Sequence, residues 1–129
     1  MESQFQKLEK IGRGAFAIVY KAKKLDRYRN PGEAEFFALK YIKVDDRKTK
    51  ASEILEESIF LKKTDCNRII KCYDTFLSND GDYMILCLEL CRGTLSEEIH
   101  SLERDPVRCF KLFIQIAEGL NYIHQRYIM

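Results

Sequence analysis

Gly12 and Gly14, one residue apart in "IGRGAFAIVY", are of a type and spacing that could serve chemistry. A glycine pair beside an aromatic and a β-branched run makes a tight turn, a dinucleotide site or a lid over a nucleotide. Lys40 lies inside the apolar run "FFALKYIKV", where an ammonium is costly unless paired. Further on, Ile54, Glu57 and Leu61 fall at i, i+3 and i+7, so a carboxylate shares the face that carries the apolar residues of a helix. Cys66, Cys72, Cys87, Cys91 and Cys109 show no C-x-x-C spacing, and only two histidines accompany them. A zinc site is therefore not expected. Buried, reduced thiols of an intracellular protein are the expectation.

These side chains need elements to hold them. "FQKLEKIGRG" alternates imperfectly and ends in glycines, and "AFAIVYKAKK" continues directly, which reads as a strand, a glycine turn and a second strand. "LDRYRNPGEAE" is a turn around Asn30-Pro31-Gly32, and "FFALKYIKV" is a third strand. The period then changes over "DDRKTKASEILEESIFLKK", where Ser52 is positioned to cap a helix and Glu53 falls in its first turn. "RIIKCYDTFL" and "YMILCLEL" are two more strands around the turn "SNDGD". The expected fold class is α+β: a five-stranded antiparallel sheet with one helix inserted after strand three.

Two helices follow the sheet. Thr94 and Glu97 form a capping box, with Leu95, Ile99 and Leu102 as the stripe of a short helix. Asp105-Pro106 then opens a long one. Val107, Phe110, Leu112, Phe113, Ile114, Ile116, Ala117 and Leu120 make it apolar nearly all round, and such a helix expects protein on most sides.

Context decides between the glycine readings. In a dinucleotide-binding unit the glycine turn leaves a strand and opens a helix, whereas here it leads into another strand. No G-x-x-x-x-G-K-[ST] is present either. The length of 129 residues suits one ordinary domain, and 46% hydrophobic residues suffice for a core. With 22 basic and 20 acidic residues the net charge is +2, which argues against nucleic acid or an anionic membrane surface as partner. "MESQFQKLEK" has no apolar signal core, and no run reaches about 18 apolar residues. A soluble protein of the cytoplasm or nucleus is expected.

Strand, glycine turn, strand, a lysine in strand three and a carboxylate on the next helix together resemble the N-terminal lobe of the eukaryotic protein kinases. "IGRGAFAIVY" resembles the family's Gly-rich loop and "FALK" its V-A-I-K. "YMILCLELC" resembles strand five and the hinge, and "FIQIAEGLNYIHQRYIM" the helix that leads to the catalytic loop. The resemblance covers essentially the whole chain. It implies a kinase N-lobe and hinge over residues 1–91 and the start of the C-lobe over 92–129.

The resemblance also implies roles. Ile11, Gly12, Arg13, Gly14, Ala15, Phe16 and Ala17 would cover the phosphates of ATP. The glycines would permit close backbone approach and positive φ, Phe16 would shield the phosphates from water, and Ala17 stands where the family has its third glycine. Val19 and Ala38 would wall the adenine. Lys40 would reach the α- and β-phosphates, paired with the glutamate that lines up when counted back from "RIIKCYDTF", which is Glu57; Glu53 and Glu56 are the alternatives. Leu88 would be the gatekeeper behind adenine, with the Glu89 carbonyl and the Cys91 amide on its edge. "RGTL" after Cys91 is shorter than the common pattern, leaving Thr94 or Ser96 for the ribose. Leu61 and Cys72 match two positions of the family's regulatory spine.

The implied function is the ATP-binding portion of a protein serine/threonine kinase, with a protein substrate or the remaining C-lobe as partner. The subfamily stands between the Numb-associated and NIMA-related groups. Met129 falls where H-R-D would come next, so the catalytic aspartate and the Mg²⁺ ligands are expected beyond these residues, and the chain alone is expected to be inactive. The alternative function is a non-catalytic nucleotide-binding or scaffolding module.

Overall fold

Alternation along the third strand sends Ala38, Lys40 and Ile42 to one face and Phe37, Leu39 and Tyr41 to the other. All of these except Lys40 are buried, so both faces of this strand are covered and its sequence reads as a nearly unbroken apolar run. The computed structural model describes residues 1–44 and 51–126. The charged run "DDRKTK" and residues 127–129, with Met129 among them, lie outside the described residues.

The elements are β1 (Phe5–Arg13), β2 (Ala17–Lys24), β3 (Phe36–Lys43), α1 (Ala51–Lys63), β4 (Cys72–Leu77), β5 (Tyr83–Glu89), α2 (Leu95–Glu103) and α3 (Pro106–Arg126), with 3₁₀ turns at Glu2–Gln4 and Asp26–Tyr28. The five strands form one sheet in the order β1-β2-β3-β5-β4, every neighbouring pair antiparallel. The imperfect alternation of β1 has a physical counterpart, since its register against β2 shifts twice between Lys7 and Gly12.

Two sequence expectations need correction. Ser52 lies inside α1 rather than capping it. Strand four is shorter than "RIIKCYDTFL", beginning only at Cys72. At Lys71 the backbone N–H donates to the Glu89 side chain (3.2 Å) while the Lys71 carbonyl accepts from Glu89 N–H (2.9 Å). A carboxylate thus replaces the main-chain acceptor that would have extended the ladder.

Two compact units divide the chain: Met1–Lys63 with Lys71–Leu90, and Thr64–Ile70 with Cys91–Met129. In the first, β1 and β4 are opposite edges of the sheet, yet Phe5 stacks on Phe76 at 6.0 Å and meets Phe37 edge-on at 5.7 Å. The sheet therefore curls until its edges meet over a core of Ala22, Phe37, Leu39, Tyr41, Ile85 and Cys87. Its other face carries α1, anchored by Ile54, which is 2% exposed. Burial pushes the Cys87 thiol up to about 12 and raises Cys72 as well. The expectation of buried thiols applies to these two only, because Cys91 and Cys109 are exposed.

In the second unit the capping box of α2 is formed: Thr94 Oγ1 accepts from Glu97 N–H at 3.3 Å and Glu97 Oε2 accepts from Thr94 N–H at 3.5 Å. Asp105 Oδ1 accepts from Arg108 N–H at the start of α3. Arg108 also reaches back to Glu98 Oε2 at 2.5 Å, holding the Glu98 carboxyl below its ordinary range. The sequence reading draws one line after residue 91, whereas Thr64–Ile70 groups with the residues beyond that line. Asp65 N–H donates to Tyr122 Oη (2.8 Å), Arg68 pairs with Glu118 (2.9 Å), and Gly119 lets the Arg68 backbone approach α3. Val107, Phe110 and Phe113 of α3 are about two-thirds exposed. Among the described residues no helix is long and apolar enough to cross a membrane.

Candidate functional site

Cross-strand register assembles the site. Gly12 of β1 stands opposite Val19 of β2, Val19 opposite Lys40 of β3, and Lys40 opposite Leu86 of β5. Residues directly opposite in antiparallel strands share a face, so the strand that ends in the glycine turn and the lysine strand present these side chains to one side. Ala38, two residues before Lys40, lies on the same face opposite Leu88. Leu88 in turn stands opposite Cys72.

The turn between β1 and β2 is closed by a hydrogen bond from Gly14 N–H to the Ala17 carbonyl (2.9 Å). Neither Gly12 nor Gly14 uses positive φ; among the described glycines only Gly32 and Gly81, in the other two turns, do so. The positive φ that glycine permits is thus not used at the pair. What the missing side chains provide is space. A Cβ on Gly14 would meet nothing within 4 Å, and one on Gly12 would touch only Val19, at 3.6 Å. Phe16, at the tip, is 60% exposed.

Phe16, Ala17, Lys40, Ile42, Glu53, Ile54 and Glu57 line a pocket of about 280 Å³. Lys40 Nζ lies 3.9 Å from Glu57 Oε1. Of the three carboxylates weighed from the sequence, Glu57 pairs with the lysine, Glu53 one helical turn earlier joins the pocket wall, and Glu56 does neither in the described contacts. Ile42 and Ile54 were not among the expected site residues. Ile42 follows Lys40 by two and so shares its face, and Ile54 precedes Glu57 by one turn, so the same periodicities that located the charged pair could have located them.

The remaining expected residues are spread more widely. Ile11 and Arg13 lie in β1, both exposed, and Ala15 is in the turn. Val19, Ala38 and Leu88 share the face of Lys40 but are not pocket walls. Glu89 ends β5 with its backbone N–H and side chain both committed to Lys71, leaving its carbonyl outside those bonds. Cys91 is exposed in the second unit. Thr94 Oγ1 is engaged by the helix cap, and Ser96 lies exposed in the first turn of α2.

The arrangement sets one partly exposed ammonium among apolar walls and the carboxylates of Glu53 and Glu57, beside a short turn with no side chain at Gly14 to obstruct approach. Among the described residues no group of three or more His, Cys, Asp or Glu stands where it could hold a metal ion.

A family model described as "Protein kinase domain" matches residues 5–129. The chain is 28% identical over 128 residues to cyclin-dependent kinase 14 of Callithrix jacchus, a match that covers 97% of this chain and 28% of that protein. The proteins of the same name from Mus musculus and Homo sapiens are each 28% identical over 128 residues, covering 97% of this chain and 25% of the relative. The chain thus spans about a quarter of the length of these curated relatives.

Proposed function

The chain belongs to the protein kinase domain family, and on that premise we propose that its first unit binds ATP, with Lys40 on the α- and β-phosphates and the Gly12–Ala17 turn above them. The observation that carries this is the register row Gly12–Val19–Lys40 with Glu57 at 3.9 Å from the lysine. Glu57 keeps the ammonium aimed into the pocket, and the open space over Gly14 lets phosphate oxygens reach backbone N–H groups. Val19 and Ala38 form the adenine wall, Leu88 closes its back, and the Glu89 carbonyl meets the adenine edge.

The protein as a whole transfers the γ-phosphoryl group of ATP to serine or threonine hydroxyls of a protein substrate. In-line transfer needs charge neutralisation and a positioned nucleophile. Lys40 supplies part of the first, and Phe16 excludes water from the phosphates. The similarity to cyclin-dependent kinases supports the serine/threonine assignment.

Titration of the 129-residue chain with a fluorescent ATP analogue tests the nucleotide site. Binding is expected, weakened tenfold or more by Lys40→Ala, in keeping with loss of a charge-assisted contact to phosphate. Equal affinity in the two proteins would overturn the assignment of Lys40.

A further inference from the structure

Glu2 makes two hydrogen bonds to distant parts of the first unit. Its Oε2 accepts from Tyr41 Oη at 2.7 Å, and its Oε1 accepts from the Asn79 backbone N–H at 2.8 Å, in the turn between β4 and β5. The 3₁₀ turn that carries it is tied again where Leu25 N–H donates to the Gln4 carbonyl (2.9 Å). Tyr41 is 7% exposed and sits edge-on to Tyr20 at 5.4 Å and Tyr83 at 6.0 Å. Lys7 Nζ stands 4.5 Å from the Tyr20 ring centre and 4.7 Å from that of Tyr41. Burial, and then the Glu2 carboxylate, raise the Tyr41 hydroxyl above its ordinary range and keep it a donor.

Tyr41 immediately follows Lys40 and points to the opposite face of β3. At 3.9 Å Glu57 attracts the ammonium end of Lys40 without a hydrogen bond, so it does not set how the side chain leaves β3. The direction in which Lys40 leaves the strand is therefore set by the β3 backbone, and that backbone is held from its other side through Tyr41. We propose that Glu2 is a positioning residue for Lys40, acting through Tyr41, and that ligand binding at the Lys40 pocket and closure of this N-terminal clasp stabilise each other. The second half rests on the reading of the pocket as a nucleotide site, and the coupling is reciprocal by linkage.

The test compares Glu2→Ala, Tyr41→Phe, the double variant and Glu2→Gln in the 129-residue chain. Acylation of Lys40 by a water-soluble amine-reactive ester is followed by mass spectrometry, with exposed Lys111 on α3 as internal reference, and affinity for a fluorescent ATP analogue is measured alongside. A glutamine at position 2 preserves both bonds, its amide oxygen accepting from Asn79 N–H and its amide N–H donating to Tyr41 Oη. The expected result is Lys40 labelling about threefold faster in Glu2→Ala and in Tyr41→Phe. The double variant should go no further than either single one, and Glu2→Gln should match the unmodified chain. Analogue affinity should fall about fivefold in step. Tyr41→Phe keeps the ring and removes only the hydroxyl, so it reads the clasp even if Glu2→Ala fails to fold. An unchanged Lys40 rate, with a changed rate only at Lys7 on the Tyr41 ring, would mean that the clasp serves its own face alone and would overturn the proposal. If the unmodified chain binds no analogue, the nucleotide reading fails, while the Lys40 labelling still decides whether Glu2 positions the lysine.

Discussion

Lys40 Nζ and Glu57 Oε1 stand 3.9 Å apart, with the lysine side chain 32% and the glutamate side chain 51% exposed. At that distance and exposure the pair joins β3 to α1 electrostatically and contributes little to folding, on the order of 0–1 kcal/mol. Its importance lies in where it aims the ammonium. Glu57→Gln is expected to move the urea midpoint by less than about 1 kcal/mol equivalent while weakening ATP-analogue binding severalfold. A loss of affinity no larger than the loss of stability would show that the carboxylate does not orient Lys40.

Neighbouring residues of α1 should behave oppositely. Ile54 is 2% exposed against the sheet, and Leu55 is 42% exposed. Removing the buried side chain leaves a cavity between helix and sheet, at a cost of about 2–5 kcal/mol. Leu55→Ala on the solvent side should stay within about 0.5 kcal/mol. Chemical denaturation of the two variants checks the contrast, and comparable losses would mean that the helix packs on a different face.

Gly119 is set against the backbone of the segment Thr64–Ile70. A Cβ there would lie 3.2 Å from the Arg68 carbonyl oxygen, a contact that a branched side chain turns into a collision. Gly119→Val should destabilise the second unit by about 1–3 kcal/mol. It should also speed hydrogen exchange at the Asp65 amide, which donates to Tyr122 Oη. Unchanged protection of that amide would show that the segment accommodates the side chain.

Acid should loosen the turn around Asn30-Pro31-Gly32. The Glu33 carboxyl accepts from Lys24 Nζ (2.6 Å) and from Asn30 N–H (2.9 Å), and these bonds, the lysine's first, hold it below its ordinary value of 4.5. A depressed folded-state pKa stabilises the fold fully above the unfolded value and loses that stabilisation as pH falls through the folded one. Stability should therefore be flat above about pH 5 and decline below it. Part of that decline should be absent in Glu33→Gln. A variant with an unaltered acid limb would assign the decline to other carboxylates, such as Asp80, whose pKa is lowered by its bond from Ser78.

Much of this protein was legible in the sequence because the relevant signals are local. Period-two alternation places Lys40 beside Ala38 and Ile42 and away from Tyr41, and the helical period puts Ile54 and Glu57 on one side of α1. Those two periodicities singled out the lysine and the glutamate, the resemblance to the protein kinases implied that they pair, and the packing of α1 on the sheet brings them into one pocket. Tertiary structure decided everything that depends on closing long loops of chain. It curled the sheet so that Phe5 of one edge stacks on Phe76 of the other. It shortened β4 by drawing the Glu89 carboxylate onto the Lys71 amide, and it docked Thr64–Ile70 on α3 through Gly119. It brought Glu2 to residues 39 and 77 positions away. Such contacts leave no periodic trace, because a side chain's partner across the fold is selected by packing geometry and hydrogen-bond satisfaction rather than by its neighbours in the chain.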